Sequence, residues 1–406
     1  MTPAADEART AGHERGLREG APLIAFGVLL ALCSSFGQTF FIALFGADFR
    51  AAYDLSVGGL GSLYSAATLC SGLLMLRVGA LLDRVALWHY GMAACLGLTL
   101  AALLTAFGGH VALLALALFL LRLSGQGMMS HAASTSMARF FGRHRGKAIS
   151  LAALGHPLGE AVLPTLTVAL MAALGWRDVW LLAAAVVAFA VAPATVLLLR
   201  RAGDAGRRAA ASGAYDFSLR GFFGQRRVLL MLPGLMAPGF INTGIFFHQT
   251  WIAEARGWAL SWIALCFVGY AAASVGAMLL GGLLVDRFTA RRLMPFYLLP
   301  LAAGCLVLAA VPAPWAAAAL MLLLGTTQGL SFTVVTAVWA ELYGATYLGS
   351  IRAAVTAVAV ISTALAPGLL GLLFDGGVSV AAVAGGCGLY ALAGATLMAG
   401  LFRRPA

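Results

Sequence analysis

Residues 79–84 read Gly-Ala-Leu-Leu-Asp-Arg, and residues 282–287 read Gly-Leu-Leu-Val-Asp-Arg. The two stretches are 203 positions apart, and other residues recur near the same offset. The recurring residues are Gly146 with Gly349, Pro164 with Pro367, and, one position away, Gln126-Gly127 with Gln328-Gly329. Matches that share one offset across a long chain indicate an internal repeat. The sequence therefore predicts two similar halves in parallel order.

The composition predicts a membrane protein. Of 406 residues, 62% are apolar and 10% are charged, whereas soluble proteins have roughly 45–50% apolar and about 25% charged residues. These values exclude a water-soluble globule, a disordered chain and a disulfide-stapled secreted module. Twelve apolar runs are near the ~20 residues that a membrane-spanning helix needs. Spans 1 to 12 are predicted over 23–46, 57–78, 90–108, 111–132, 148–173, 179–199, 228–252, 262–284, 293–311, 315–339, 349–373 and 378–402.

The pattern of these runs predicts the fold class. None of them alternates like a barrel strand, and only helices or closed barrels satisfy the backbone inside a bilayer. We therefore expect an all-α polytopic membrane protein, with twelve transmembrane helices arranged as two six-helix bundles.

The basic residues predict the orientation. With a cytoplasmic N-terminus, 22 of the 26 Lys and Arg residues fall on the cytoplasmic side, and Arg50, Arg177 and Arg256 fall outside. Such a bias orients membrane helices, so both termini are expected in the cytoplasm, with the protein in the cell (inner) membrane. The formal charge of +11 then marks the cytoplasmic face, and nucleic acid is excluded as a partner.

The longest polar stretch divides the chain into two bundles. The predicted segments are a cytoplasmic tail (1–22), an N-terminal bundle (23–199), a cytoplasmic linker (200–227), a C-terminal bundle (228–402) and a second tail (403–406). The first apolar run is too long for a signal-peptide core, so we interpret it as span 1. The cysteines and histidines are scattered, so we expect no metal site. We also expect no cofactor, and a monomer in membrane lipid.

The repeated turn resembles the Gly-x-x-x-Asp-Arg motif of the major facilitator superfamily, which occurs between spans 2 and 3 and between spans 8 and 9. The resemblance covers essentially the whole chain. It implies a transporter in which helices 1, 4, 7 and 10 line a central cavity and this turn stabilises the cytoplasmic gate. Carried over to this sequence, the gating residues are Asp83, Arg84, Asp286 and Arg287. Only the second copy keeps the trailing basic pair, Arg291-Arg292.

A narrower resemblance rests on residues 138–141 (Ala-Arg-Phe-Phe) and 145–148 (Arg-Gly-Lys-Ala). They are similar to the loop after span 4 in monocarboxylate and oxalate–formate type members, which carry small organic anions. Span 8 departs from that branch, because it contains no buried cation. Span 5 is rich in Gly and Pro like the antiporter motif of drug exporters, but its residues follow a different order.

Two charged residues are predicted near the middle of the bilayer, where charge is expensive and marks candidate functional sites. Arg122 in span 4 and Glu160 in span 5 each lie about 12 residues, or ~17–18 Å, from a membrane surface. They could form an ion pair that only braces the two helices. Alternatively, Arg122 holds an anionic substrate or releases Glu160 for protonation.

His156 lies one helical turn before Glu160, so both project from one face of span 5. A Glu–His–Arg cluster can exchange a proton near neutral pH, which predicts proton coupling through Glu160 and His156. The alternative is that His156 merely packs beside Pro157.

Uncharged polar side chains complete the candidate site. With Arg122, the predicted substrate-binding residues are Gln126, Gln38, Ser34, Asn242, Thr243, His248, Gln249, Tyr270, Thr327 and Gln328. The alternative is that they form hydrogen bonds between helices, worth ~0.6 kcal/mol each on average.

The sequence therefore favours a secondary transporter over an enzyme. It contains no phosphate-binding loop of the Gly-x-x-x-x-Gly-Lys-Ser/Thr kind. The leading hypothesis is proton symport of a small polar solute, an organic anion. The alternative is a proton-coupled antiporter that exports drugs or other amphipathic compounds.

Overall fold

The computed structural model describes residues 16–203, 219–344 and 348–403. Parts of the predicted tails and most of the predicted linker lie outside the described residues. Within the described ranges every regular element is a helix and no strand occurs. The predicted all-α class is confirmed.

Each predicted span coincides with helix in the described part of the chain. In chain order the helices are Ala21–Gly37 with Thr39–Tyr53, Val57–Leu81, Leu87–Phe107, Val111–Phe140, Arg145–Leu174, Trp176–Arg201, Arg226–Phe247 with Gln249–Arg256, Leu260–Phe288, Leu299–Ala310, Trp315–Tyr343, Leu348–Asp375 and Val380–Arg403. Several extend past the predicted ends, because hydropathy marks the apolar middle of a helix and not its polar ends.

Ten of the described helices are long and apolar enough to cross a membrane, and a bent pair in span 1 makes up to eleven. The exception is span 9, predicted over 293–311, where the helix is limited to Leu299–Ala310. Its 12 residues span ~18 Å, less than the ~30 Å hydrocarbon core. Pro295 lies within the missing part, and Pro300 lies in the first turn of the observed helix. Proline cannot donate a backbone hydrogen bond within a helix.

Span 1 is broken where the sequence predicts one continuous run. The helices Ala21–Gly37 and Thr39–Tyr53 meet at 44°. Residues Ser34–Gly37 form a 3₁₀ turn, and Gln38 is extended with φ −83° and ψ 151°. The average hydropathy of an apolar run contains no signal for this break.

The break in span 1 packs directly against span 4. A Cβ atom added at Gly125 would lie 2.7 Å from the Cα atom of Gly37, and one added at Gly37 would overlap the Leu121 carbonyl oxygen. Two glycines therefore allow the two backbones to touch. Residues Leu121–Met129 of span 4 form a π-helical stretch at this contact, and such stretches are frequent at functional sites.

Close contacts group the described residues into two compact units. One contains the described residues of 16–38, 70–159 and 173–203, and the other contains those of 39–69, 160–172, 219–344 and 348–403. The second unit thus combines parts of spans 1, 2 and 5 with the C-terminal half. The prediction of two six-helix bundles remains a prediction.

Large apolar side chains are exposed on the described helices. Phe107, Phe189 and Leu283 expose 72%, 83% and 69% of their surface. An apolar surface of this kind is compatible with lipid as the surrounding solvent.

The glycine contact yields a prediction for stability. Gly125→Ala should lower the stability of the folded protein by about 1–3 kcal/mol, because the added methyl group forces two backbones apart. The measurement is thermal unfolding of the purified protein in detergent. The matched control is Gly276→Ala, because no atom lies within 4 Å of a Cβ at that helical glycine. It should be neutral or stabilising by up to ~1 kcal/mol. Equal melting temperatures for the two variants would contradict the contact.

Candidate functional site

The Arg122 guanidinium lies at the break of span 1. The residue is 5% exposed, and its Nη1 atom donates a hydrogen bond of 3.3 Å to the carbonyl oxygen of Gly37. A broken helix leaves carbonyl groups without their usual partners, and a buried cation needs hydrogen-bond acceptors. Arg122, in the π-helical stretch of span 4, therefore gives the break of span 1 a hydrogen-bond donor, and the break gives Arg122 an acceptor.

His156 joins the same break from span 5. Its Nδ1 atom lies 3.3 Å from the hydroxyl oxygen of Ser34, which itself donates to the carbonyl oxygen of Ala31. A Cβ atom at Gly159 would overlap the Ser35 hydroxyl, so span 5 approaches span 1 closely. Spans 4 and 5 therefore both contact the Ser34–Gly37 turn of span 1, through the predicted residues Arg122 and His156.

Glu160 follows His156 by four residues on the helix Gly155–Leu174. Its side chain is half-buried, and it lies close enough to Tyr270 of span 8 for an electrostatic interaction. Tyr270 is 2% exposed and packs edge-on against Phe246 with ring centroids 5.2 Å apart. The ion pair between Arg122 and Glu160 stays a prediction.

The C-terminal half supplies a second group of predicted residues. Asn242 Nδ2 lies 3.5 Å from Gln328 Oε1, and this contact joins span 7 to span 10. Thr243 is buried, and the Thr327 hydroxyl donates to the Leu323 carbonyl of its own helix. The structure therefore brings Asn242 and Gln328 together, while the Thr327 hydroxyl bonds within span 10, and the substrate-binding role of all three stays a prediction. The predicted polar residues Gln38 and Gln126 are half-buried.

His248 and Gln249 make hydrogen bonds between helices. His248 Nε2 donates to the carbonyl oxygen of Pro367 at 2.9 Å, and Gln249 Nε2 donates to the carbonyl oxygen of Phe40 at 2.7 Å. Both side chains are at most 2% exposed. Their geometry matches the alternative interpretation, in which these residues bind helices and not substrate.

Two further polar contacts lie at the predicted outer end of the helices, and the sequence did not indicate them. Arg50 Nη2 lies 2.7 Å from Glu254 Oε2. Asp375 Oδ2 accepts from the Ser56 hydroxyl at 2.7 Å and from the Gly58 N–H at 2.9 Å. Asp375 therefore caps the first turn of the span 2 helix, which begins at Val57. These contacts, called the outer contacts below, join residues that are 204 to 319 positions apart.

The two copies of the repeated turn use opposite arrangements of charge. In the first, Asp83 Oδ1 of the turn lies 2.6 Å from Arg139 Nη2 at the end of span 4, which also donates to the Leu82 carbonyl. In the second, Glu341 at the end of span 10 accepts from the backbone N–H groups of Ala290 and Arg291. The side chains of Arg84, Asp286 and Arg287 are exposed.

Residues 27–264 match the family model described as "Major Facilitator Superfamily". The chain belongs to the major facilitator superfamily. No curated protein matches it.

Two solved structures share the superfamily fold with this chain. One is titled a bacterial homolog to the human lysosomal transporter Spinster in an inward-facing and unoccupied conformation, with TM-score 0.69, 15% identity, and coverage of 95% of this chain and 94% of that chain. The other is titled the same homolog in an inward-facing and occupied conformation, with TM-score 0.66, 16% identity and 96% coverage of both chains. Identities this low show the fold alone.

Superfamily membership supports an integral membrane transporter and not an enzyme. It does not confirm the monocarboxylate or oxalate–formate branch. The sequence analysis did not select Arg139 and Glu341 as site residues. The two residues are separated by about 203 positions, which is the repeat offset. A search for charged residues that recur near this offset, one for each copy of the repeated turn, could have found them.

The first turn of this superfamily member yields a prediction. Asp83→Asn and Arg139→Gln should each lower the melting temperature slightly, and a double-mutant cycle should give a coupling of about 0.5 kcal/mol, because the Asp83 side chain is 46% exposed and exposed ion pairs are weak. The charge-swapped double variant should recover part of the loss. Arg145→Gln is the control, because it removes a neighbouring exposed cation that does not contact Asp83. A coupling of zero would contradict the proposed pair.

Proposed function

We propose that the chain is a secondary active transporter that moves a small organic anion together with protons by alternating access. The observation that carries the proposal is the buried Arg122 guanidinium at the break of span 1. Charges inside a membrane protein are costly and mark pathways for substrates or ions. We further propose that the protein is a monomer of the inner membrane with cytoplasmic termini and two six-helix bundles.

The chemistry of Arg122 supports an anionic substrate. A guanidinium presents N–H donors in a fixed fork that matches the two oxygens of a carboxylate. The contact between Arg122 and the Gly37 carbonyl orients this fork at a place where the backbone of span 1 is already irregular. Irregular backbone at membrane depth is tolerated where it lines a cavity, and discontinuous helices commonly form transporter binding sites.

The surroundings of Glu160 support proton coupling. The carboxyl group is half-buried and lies near the phenol of Tyr270. One turn earlier, His156 shares a hydrogen bond with Ser34. Acidic and histidine side chains in transmembrane segments commonly form proton relays. Glu160 would carry the coupled proton, and His156, one turn earlier on the same helix, would assist its transfer.

The outer contacts support alternating access. They tie the start of span 2 to the end of span 11, and the end of span 1 to the helix that follows span 7. An outward-open state would require these contacts to break. We infer that these contacts hold the outer end closed.

One observation favours the alternative function, export of amphipathic compounds by proton antiport. Tyr270, the neighbour of Glu160, belongs to an aromatic cluster with Phe246, Phe267 and Phe40. Aromatic side chains are frequent in sites for apolar ligands. Here they are at most 7% exposed and pack against one another, so this function ranks second.

A reconstituted system tests the coupling. Short carboxylates, sulfonates and amphipathic drugs are first screened for a thermal shift of the purified protein, and uptake of the strongest ligand is then measured in liposomes. We expect a carboxylate or sulfonate, with uptake driven by an inward proton gradient. Arg122→Gln should weaken its binding by about tenfold or more, because a charge-assisted pair is lost. Glu160→Gln should abolish the response to the gradient and leave exchange intact.

Two controls accompany these variants. Arg122→Lys keeps the charge without the fork, and it should recover only part of the affinity. Asp178→Asn removes an exposed carboxylate in the first turn of the span 6 helix and should leave coupling unchanged. Full proton-driven uptake by Glu160→Gln would overturn the coupling role, and thermal shifts limited to drugs would favour the exporter.

The outer contacts yield a prediction about conformation. Thr250, which is 4% exposed, packs against Gly46 beside them. In a Thr250→Cys background, Glu254→Gln and Asp375→Asn should each raise the rate of labelling by an impermeant maleimide about fivefold. Each variant removes a charge-assisted contact, which is worth up to ~1 kcal/mol at an exposed site. Asp54→Asn, an exposed carboxylate of the same loop, should not change the rate. Unchanged labelling in both test variants would show that these contacts do not hold the outer end closed.

A further inference from the structure

A groove of about 400 Å³ lies on the described C-terminal part of the protein, between the residues that precede span 9 and the end of span 12. Its lining includes Arg291, Arg292, Phe296, Leu299, Leu392 and Phe402. Two guanidinium groups therefore stand at one end of a mostly apolar channel. None of these residues belongs to the proposed transport site.

The interruption of span 9 creates this groove. Residues 294–298 form turns and not helix, and they leave Phe296 and Leu299 with exposed fractions of 59% and 41%. Along span 12 the lining runs from Leu392 to Phe402, a helical length of ~15 Å. This length is about half of the ~30 Å hydrocarbon core, so the groove matches one leaflet of a bilayer.

The charge at its polar end is positive. Arg291 donates to the Glu341 carbonyl and pairs with its carboxylate at 3.8 Å, while Arg292 is exposed. The Arg227 guanidinium lies 5.0 Å from the centre of the Phe402 ring. Three cations therefore lie near this end of the groove, and one of them is paired with a carboxylate. The distribution of basic residues predicts that this end faces the cytoplasm. Basic pockets between helices on that side bind anionic lipid headgroups.

A second groove of similar size has fewer cations in its lining than the groove between spans 9 and 12. It has a similar volume of about 390 Å³ and is lined by Met92, Pro193, Leu197 and Arg200 among others. Only one cation contributes to its lining. An acyl chain fits both grooves, but only the first combines an apolar channel with a pair of arginines.

We propose that the groove between spans 9 and 12 binds one anionic phospholipid of the cytoplasmic leaflet. The lipid phosphate contacts Arg291 and Arg292, and one acyl chain lies along Phe296, Leu299 and Leu392. Glu341 holds the Arg291 side chain in place, while Arg292 supplies a second, exposed charge at the headgroup. The proposal does not depend on which solute is transported.

Lipid titration of the delipidated protein tests the proposal. Phosphatidylglycerol should raise the melting temperature to a saturating value, and phosphatidylcholine with the same acyl chains should bind at least about fivefold more weakly. Arg292→Gln should weaken phosphatidylglycerol about fivefold, because one cation near the surface is lost. Thr396→Phe places a ring in the groove without changing charge, and it should weaken both lipids. Native mass spectrometry should count one retained phosphatidylglycerol.

A matched control and a soluble probe make the result specific. Arg201→Gln removes an exposed cation at the end of span 6 and should leave the affinity unchanged. Glycerol phosphate, which lacks acyl chains, should not stabilise the protein. The proposal is wrong if Arg201→Gln and Arg292→Gln weaken binding equally, if both lipids bind equally, or if glycerol phosphate protects as well as the lipid.

Discussion

The structure depends on one constraint, which is that no backbone polar group can be left without a partner inside hydrocarbon. Continuous helices meet it by themselves, so the places where helices break need help from elsewhere. At the break of span 1 the help comes from Arg122, which binds the Gly37 carbonyl. At the start of span 2 it comes from Asp375. The polar contacts at Gly37 and Gly58 therefore lie where regular helix is interrupted or begins.

The parts of the fold that follow from composition, from the hydropathy pattern and from the internal repeat were predictable. The twelve apolar runs, the all-α class and the repeat could be recognised, because hydropathy and recurrence survive averaging over many residues. The break at Gln38 and the short helix of span 9 could not. Both are consequences of packing and proline placement within runs that remain apolar throughout. A glycine pair such as Gly37 and Gly125 becomes informative only when the partner helix is known.

The candidate site was partly predictable for a different reason. Arg122 and Glu160 stand out because charge is rare in the middle of spans, and Asn242 with Gln328 follows from polar residues at matching depths. The partners of the repeated turns were not predictable in this way. Arg139 and Glu341 lie at helix ends among other charged residues, and only the three-dimensional approach of those ends selects them. The first copy of the turn lacks the trailing basic pair, but its Asp83 pairs instead with Arg139 of span 4.

The cap that Asp375 places on the span 2 helix has a consequence for the energetics of the whole cycle. When the outer end opens, the Gly58 N–H and the Asp375 carboxylate must exchange each other for water, since neither can remain unsolvated. Opening is therefore also a hydration reaction. Its equilibrium depends on the activity of water, so solutes that are excluded from protein surfaces favour the closed form. If the outer contacts gate the outer side as proposed, the osmotic state of the surroundings acts through this cap on how often that side opens.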